Sequence, residues 1–475
     1  MEPPTLSRLS PGPPGSVGRD SSTGNLCSES ASVALRPRIA YGEVNRDIIG
    51  VLFRPSILYV LALLASIAML SWGAYCWYIQ ARWGMGVAGI THPTMWGVYI
   101  VTFVFWIGIG HAGTLISAIL YLVRAPWRTG VYRAAEAMTV IAVMTGFLFP
   151  VLHLGRFWQV YWTLPYPNQR LLGINFKSPL TWDVFAITTY FIVSAVFLFI
   201  GLIPDLAACR DHCKGPMKRV YGIFALGWRG TSRQWRHYMA GYGFFAAFAA
   251  PLVFSVHSIV SWDFAMASIP GWHSTIFAPY FVAGAIFSGC AMVITLMLPL
   301  SHFFRWQKYI NMWHFENLAK ICLLTSLILT YAYVMEFFVA WYSQNPYEQH
   351  YFFWRATGNY ALIFWIMLLC NCALPLLFFF KKVRTNPTAL LVIAIMINVG
   401  MWLERFNIIV TPLARALDPA IWGVYWPTPI EWGIFIGSFG WFFFWFLLFI
   451  KTLPAIAITE VKEMVFPPLK TGGGP

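Results

Sequence analysis

Four ionisable residues stand near the ends of hydrophobic segments of this chain: His153, Asp183, His257 and Asp263. Ionisable side chains at membrane depth are costly and are usually functional. A histidine beside a carboxylate can accept and relay protons near neutral pH, because imidazole titrates there and its surroundings tune it. Each residue alone could instead be a helix cap or face water. Together they suggest proton transfer, provided that the elements carrying them place all four on one side.

The composition identifies the class of protein. Of the 475 residues, 59% are hydrophobic and 11% are charged, a balance that no soluble domain of this length shows. Ten segments are long enough to cross about 30 Å of hydrocarbon as helices: 55–78, 95–123, 134–153, 181–203, 239–261, 277–300, 316–341, 357–380, 388–410 and 430–453. We therefore predict an all-α polytopic membrane protein with ten transmembrane helices.

The Lys and Arg residues between the segments predict the orientation. The N-terminal arm, the even-numbered loops and the C-terminal tail carry 24 of them, whereas the odd-numbered loops carry 6. Because cytoplasmic loops hold the excess of positive charge, both termini are predicted to be cytoplasmic. This asymmetry also accounts for the net charge of +14, so no nucleic acid is needed to explain it. In this orientation the four ionisable residues share the outer face.

The chain has two weakly similar halves. Segments two to five resemble segments six to nine, for example in Thr181-Trp-Asp183 and Thr357-Gly-Asn359 at the starts of segments four and eight. The alternative is chance likeness between apolar helices. We predict two four-helix bundles flanked by two peripheral helices. The predicted parts are a disordered cytoplasmic arm (1–40), the first transmembrane helix with its outer loop (41–94), the first bundle (95–275), the second bundle (276–412), and the last transmembrane helix with a cytoplasmic tail (413–475).

Five further ionisable residues lie inside the predicted spans: His111, Glu136, Glu336, Glu404 and Arg405. Each of them needs a partner in hydrocarbon. They could form a path for protons across the membrane, or they could be buried structural pairs. The sequence leaves both alternatives open.

The sequence shows no motif for a bound redox centre. A membrane haem needs axial histidines on facing helices, and only His111 is predicted to lie in mid-membrane. Cys209, His212 and Cys213 are close together in an inner loop but lack further ligands for a metal, so we interpret them as part of a solvated loop. The spacings typical of covalent haem, iron–sulfur clusters and nucleotide-binding loops do not occur. We therefore predict no metal site and no permanently bound cofactor, so that electron chemistry would need a partner subunit.

Several long stretches carry a resemblance to a known family. They are Gly110-His-Ala-Gly-Thr114, Arg133-Ala-Ala-Glu-Ala-Met138, Phe149-Pro-Val-Leu-His153, Pro165-Tyr-Pro-Asn-Gln169, Ser178-Pro-Leu-Thr-Trp-Asp183, Ser255-Val-His-Ser-Ile-Val-Ser-Trp-Asp263 and Pro270-Gly-Trp-His273. From about Tyr41 to Val465 the chain resembles the NrfD/polysulfide-reductase membrane-subunit family. Within it, the resemblance is closest to the C subunits of alternative complex III, a bacterial quinol-oxidising respiratory complex.

The resemblance implies a quinol pocket at the outer side of the first bundle, with menaquinol or ubiquinol as the substrate. It assigns the catalytic positions to His153, Asp183 and Asp263. The side chains expected to surround the quinol are His257, Arg156, Trp182 and Trp262.

The resemblance also implies a complex in the bacterial inner membrane. Its expected partners are an iron–sulfur subunit, multihaem and monohaem cytochrome c subunits, a second NrfD-like membrane subunit and, as a further candidate, a terminal oxidase. Iron–sulfur clusters and c-type haems would then lie on partners. A sister branch of the family serves polysulfide, nitrite or similar reductases. Two other hypotheses are a secondary transporter, whose site normally lies near the midplane, and a structural anchor for extrinsic subunits.

Overall fold

The computed structural model describes residues 41–53, 56–164 and 176–465. The predicted arm (1–40), part of the loop before segment four (165–175) and the end of the tail (466–475) lie outside the described residues. The fold is that of the unit that begins at Gly42. All regular structure in the described residues is helical.

Ten helices of the described chain are long and apolar enough to cross a membrane, which confirms the predicted number of spans. In chain order, with the four non-spanning helices included, the elements are α1 (Tyr41–Phe53), α2 (Ile57–Trp83), α3 (Val98–Leu122), α4 (Tyr132–His153), α5 (Pro179–His212), α6 (Pro216–Phe224), α7 (Ser232–Ala265), α8 (Phe277–Phe303), α9 (Met312–Ser343), α10 (Pro346–Thr357), α11 (Ala361–Phe379), α12 (Pro387–Ala414), α13 (Pro429–Thr452) and α14 (Ile458–Val465). The spans are α2 to α5, α7 to α9 and α11 to α13.

Two helix boundaries differ from the prediction in a way that matters for buried charges. We predicted that the fourth segment ends at residue 203, but α5 continues to His212 and so contains Asp205. The predicted spans also leave Arg355 in the loop between segments seven and eight, but a helix, α10, forms there and Arg355 is buried. Hydropathy ends a span at its first charged residues, whereas a helix can continue past them, and in α5 the first of them, Asp205, is buried against Arg133.

The spans pack as two groups of four. Helices α3, α4, α5 and α7 contact one another, and so do α8, α9, α11 and α12. Helices α3 and α8 join the groups and are the most buried spans. In their most apolar stretches of 18 residues, 83% and 94% of the residues are inside the protein. We call the two groups the first and second bundles. The predicted domain boundaries along the chain stay predictions.

Helices α2 and α13 form a peripheral pair beside the bundles. Only 11% of the residues in the most apolar stretch of α2 are buried, because α2 contacts mainly α13. Gly73 and Gly437 face each other so closely that a side-chain carbon on either would meet the backbone of the other. Small residues of this kind allow helices to approach in lipid.

The non-spanning helices dock onto the ends of the bundles. Lys308, between α8 and α9, forms ion pairs with Glu43 and Asp47 of α1. Helix α14 packs at the end where α4 begins, where the main-chain N–H of Thr459 donates to Asp205. We call this the inner end, and the end carrying His153 and Asp183 the outer end. These names follow the charge-based orientation, which stays a prediction.

Candidate functional site

A pair of carboxyl groups lies at the outer end of the first bundle. Asp183 is in the first turns of α5 and Asp263 is in the last turn of α7. Their carboxyl groups are within hydrogen-bonding contact, and a carboxyl group can donate such a bond only when it is protonated. Asp183 is buried, and the Oδ1 atom of each aspartate has no hydrogen-bond partner among the described residues. The pair can therefore hold a shared proton and still accept hydrogen bonds from a ligand.

Two tryptophans stand beside this carboxyl pair. Trp182 and Trp262 directly precede the two aspartates, and their rings meet edge to face with centroids 6.0 Å apart. The indole N–H of Trp182 donates to the carbonyl of Phe176 at 2.6 Å, which fixes this ring. The two indoles thus contact each other across the same pair of helices, α5 and α7, that carries the two aspartates.

His153 ends α4 at the same end of the bundle. Its ring lies 6.1 Å from that of Tyr99, and its Nδ1 atom is buried without a hydrogen-bond partner in the described chain. The Tyr99 hydroxyl donates to Gln80 Oε1 at 2.7 Å, and Gln80 Nε2 donates to the Leu152 carbonyl at 2.6 Å. The carboxyl pair and His153 thus have different neighbours at this end. Arg156 follows at an exposed position.

His257 lies deeper than the outer rim where we expected it. It is fully buried, and its ring centroid is 4.6 Å from that of His111. His111 also stacks on Tyr190 at 4.9 Å, while its Nδ1 atom is 2.7 Å from the Ile107 carbonyl. The remaining His111 nitrogen and both nitrogens of His257 have no partners in the described chain. Rings this close leave no space for a porphyrin between them, so they are not a pair of axial haem ligands.

A charged cluster surrounds Glu136 near the inner end of the first bundle. Arg133 donates from Nη1 to Glu136 at 3.0 Å and from Nη2 to Asp205 at 3.3 Å. The Tyr242 hydroxyl donates to Glu136 at 2.9 Å. Arg133, Asp205 and Tyr242 were not predicted from the sequence as members of this cluster. The three-residue spacing of Arg133 and Glu136 on one helix was the signal that could have found the first of them.

A cavity of about 320 Å³ separates this cluster from the inner surface. Tyr242 lines it from within, and Arg128, Glu460 and Glu463 line it towards α14. Arg128 donates to Glu460 at 2.9 Å. Burial alone would lower the pKa of Arg128, but Glu460 and the nearby tyrosines Tyr242 and Tyr132 hold it above its ordinary value. Only the side chain of Tyr242 would lie between water in this cavity and Glu136.

The second bundle holds two buried charge pairs of its own. Glu336 accepts from Arg355 at 3.1 Å, beside an outer cavity of about 440 Å³ that Glu336 also lines. One oxygen of Glu404 is 3.6 Å from Arg405, and neither of its carboxyl oxygens has a hydrogen-bond partner in the described chain.

The two arginines of these pairs are further stabilised by nearby rings. The Arg405 guanidinium lies over the Phe281 ring at 4.4 Å. Burial alone would lower the pKa of Arg355, but Tyr351 and Glu336 hold it above its ordinary value. The Arg355 guanidinium therefore remains charged although it is buried.

Among the residues that the structure describes, no three His, Cys, Asp or Glu side chains are placed to hold a metal ion. The prediction of a solvated loop was wrong for Cys209 and Cys213, which are both buried at the end of α5. The His212 ring is 2.8 Å from the carbonyl of Ala208 on its own helix.

Comparison with known proteins agrees with this architecture. A family model described as "Polysulphide reductase, NrfD" matches residues 86–415. The putative C subunit of the dimethyl sulfoxide reductase of Halobacterium salinarum, a membrane subunit, is 23% identical over 432 residues, which are 86% of this chain and 91% of the relative. The C subunit of the selenate reductase of Mesobacillus selenatarsenatis is 23% identical over 410 residues, or 80% and 91% of the two chains. Since the family model spans more than half of the sequence, this chain is a membrane subunit of the NrfD (polysulphide reductase) family.

Proposed function

We propose that this chain is the quinol-reactive membrane subunit of a respiratory oxidoreductase complex. The observation that carries the proposal is the Asp183–Asp263 carboxyl pair beside Trp182 and Trp262 at the outer end of the first bundle. A quinol has two hydroxyl groups on one aromatic ring. The pair offers it acceptors for a hydroxyl, and the indoles offer it walls for the ring.

The proposed reaction removes two protons and two electrons from each quinol and releases quinone. One hydroxyl proton goes to the carboxyl pair and the other to His153, whose buried nitrogen has no partner in the described chain. From there both protons reach the outer aqueous phase. The electrons pass to an iron–sulfur centre on a partner subunit docked over the outer end. General bases must lie within hydrogen-bond reach of the protons they remove, so the proposal requires one hydroxyl of the bound quinol to contact the carboxyl pair and the other to contact His153.

Two kinds of complex fit this role, and they differ in their partners. The two relatives are named as C subunits of a dimethyl sulfoxide reductase and a selenate reductase, which favours a reductase complex of the polysulfide-reductase type with an iron–sulfur partner. The stretches around His153, Asp183 and Asp263 resemble instead the C subunits of alternative complex III, which would add multihaem and monohaem cytochrome c partners and a second NrfD-like subunit. In either complex the site would take electrons from menaquinol or ubiquinol.

Buried ionisable groups support a second proposal, that protons cross the protein. In the first bundle they run from the cavity at α14 through Tyr242 and Glu136, with His111 and His257 further along. In the second bundle they are Glu404, Arg405 and Glu336. These groups could equally be structural pairs, so the distinction needs a measurement of proton transfer.

Purification of the tagged chain with its native partners tests both levels of the proposal. Quinol-dependent reduction of the associated iron–sulfur centres, blocked by a quinone-site inhibitor, is expected. Haem c absorbance in the complex would favour alternative complex III, whereas its absence together with reductase activity would favour a complex of the polysulfide-reductase type. The chain freed of partners is expected to contain no haem and no iron. A complex that binds no quinol analogue would contradict the proposed function.

A further inference from the structure

A second cavity near the outer end lies outside the bundles, between α2, α4 and α13. Its volume is about 260 Å³. The side chains around it come from the peripheral pair and from the last turns of α4, and they are Leu70, Ala74, Trp77, Leu148, Val151 and Trp441. Gly73 and Gly437, where α2 and α13 touch, form part of the wall.

The chemistry of this cleft is that of hydrocarbon. No charged residue of the described chain lines it, and the hydroxyl of Ser438 already donates to the Phe435 carbonyl at 2.7 Å and accepts from Trp106 at 3.1 Å. The indole N–H groups of Trp77 and Trp441 have no partner in the described chain, but they offer a ligand only two neutral donors. A strongly polar ligand would leave most of its own groups unpaired, which is destabilising when they are buried. An apolar chain would lose nothing.

The cleft opens on the surface of the protein that faces the lipid. Ala74 at its edge is exposed, and Leu70, Val151 and Trp441 are only partly buried. Helix α2 carries mostly exposed apolar side chains, which places this face in the hydrocarbon of the membrane. An apolar chain could therefore enter from the bilayer without crossing water.

The cleft lies next to His153, one of the two proton acceptors proposed for the quinol head. Leu152 lines it and directly precedes His153. The Leu152 carbonyl is held by Gln80, Gln80 is held by Tyr99, and Tyr99 is the ring neighbour of His153. A ligand whose head lies at His153 would thus have this apolar cleft beside it, at the next residue of α4, Leu152.

We propose that the cleft between α2, α4 and α13 binds the first part of the isoprenoid tail of the quinol. This inference rests on the proposed function, since it takes the quinol head to lie near His153. A tail held here would guide the quinol from the bilayer to the outer end and would keep its ring oriented. It would also make this chain selective for quinols with a tail over tail-less hydroquinones.

The test fills the cleft and compares two substrates in the purified complex. Ala74→Phe and Val151→Trp place bulk in the cleft, and Val334→Trp is the matched control on the exposed face of α9, which is 61% exposed. Burial of about two methylene groups corresponds to roughly a tenfold change in affinity. We expect KM for a long-tailed quinol to rise at least about tenfold in both cleft variants, with an unchanged KM for a quinol lacking an isoprenoid tail.

Three results would overturn the inference. The first is an unchanged KM for the long-tailed quinol in folded cleft variants. The second is an equal loss for both quinols, since the cleft would then shape the head site only. A quinol with a photoreactive group on its first isoprene unit should label peptides of α2, α4 or α13. The third contradicting result is that this quinol labels none of them while a photoreactive phospholipid does, which would assign the cleft to lipid. If the unmodified complex oxidises neither quinol, the proposed function itself fails.

Discussion

Asp183 and Asp263 are the residues on which the chemistry depends most. The two residues are 80 positions apart in the chain, on two different helices, yet their carboxyl groups meet. Two carboxyl groups in contact can share one proton, and the pair can then take up a second proton from a ligand hydroxyl. His153, with its buried ring nitrogen, is the second acceptor.

Asp183→Asn should lower quinol oxidation at least about tenfold, because positioned acid–base groups typically contribute about 10²- to 10⁴-fold. The amide cannot take up the hydroxyl proton, although it fills the same space. Turnover of the purified complex measures this effect, and quantification of each subunit checks assembly. The matched control is Asp211→Asn on the same helix, where the carboxylate is exposed at the inner end and pairs with Arg210. An assembled Asp183→Asn complex with full turnover would move the site away from this pair.

Glu404→Gln addresses the proposed path for protons in the second bundle. Since Glu404 is fully buried on α12 of the second bundle, whereas the carboxyl pair is in the first, we expect quinol oxidation to change less than about twofold, while the ratio of protons moved to electrons transferred falls clearly. Proteoliposomes with a pH-sensitive dye give this ratio. Glu316→Gln is the control, because Glu316 pairs with Arg384 near the inner end. Unchanged ratios in the Glu404, Glu136 and His111 variants would favour a structural role for all three.

Helix α10 illustrates how an element outside the membrane spans completes the second bundle. It begins after Asn345, whose side chain accepts from the Tyr347 N–H, and it presents Arg355 to Glu336 of α9. Both side chains of this ion pair are 3% exposed. The packing of α10 against α9 therefore depends on the buried Arg355 guanidinium, which needs the Glu336 carboxylate as its partner.

Arg355→Met should reduce the free energy of unfolding by about 3–5 kcal/mol, because it leaves the Glu336 carboxylate buried without its partner. Adding Glu336→Leu should recover most of this loss, since replacing a buried pair by apolar groups is often neutral. Unfolding of the detergent-solubilised protein provides the measurement. Lys308→Met, at a partly exposed pair with Glu43, should cost less than about 1 kcal/mol. A single variant as stable as the unmodified protein would show that Arg355 is not needed to hold α10.

The molecule as a whole is organised so that its buried polar groups lie on both sides of the α3–α8 contact. The first bundle has the carboxyl pair at its outer end and the Arg133–Glu136 cluster near its inner end. The second bundle has Glu336–Arg355 towards the outer end. The orientation of this whole arrangement in the membrane decides which aqueous phase receives the protons.

Cysteine labelling in intact cells tests the predicted orientation. Lys214→Cys lies between α5 and α6 at an exposed position, and Thr275→Cys lies between α7 and α8, also exposed. An impermeant maleimide should label position 275 and should reach position 214 only after the membrane is opened. Comparison with the unmodified chain accounts for the native cysteines. Labelling of position 214 in intact cells would reverse the orientation and place the carboxyl pair on the cytoplasmic side.

The sequence alone determined the all-helical class, the number of spans and the positions of Asp183 and His153 at helix ends. These features are local, because hydropathy over about 20 residues decides whether a segment enters the bilayer and a helix end follows from the residues around it. The five ionisable residues inside the predicted spans were also visible, since a charge in an apolar segment stands out without any knowledge of its neighbours.

Only the tertiary structure decided which of these groups meet. The His257 ring contacts that of His111 rather than a group at the outer end. Arg133 binds Asp205, which is 72 positions further along the chain. Arg355 reaches Glu336 from a helix that hydropathy does not reveal. The physical reason is that in hydrocarbon every buried polar group must find its partner inside the protein. The spacing along one helix shows which face a side chain takes, but the partner on another helix depends on how all ten spans pack.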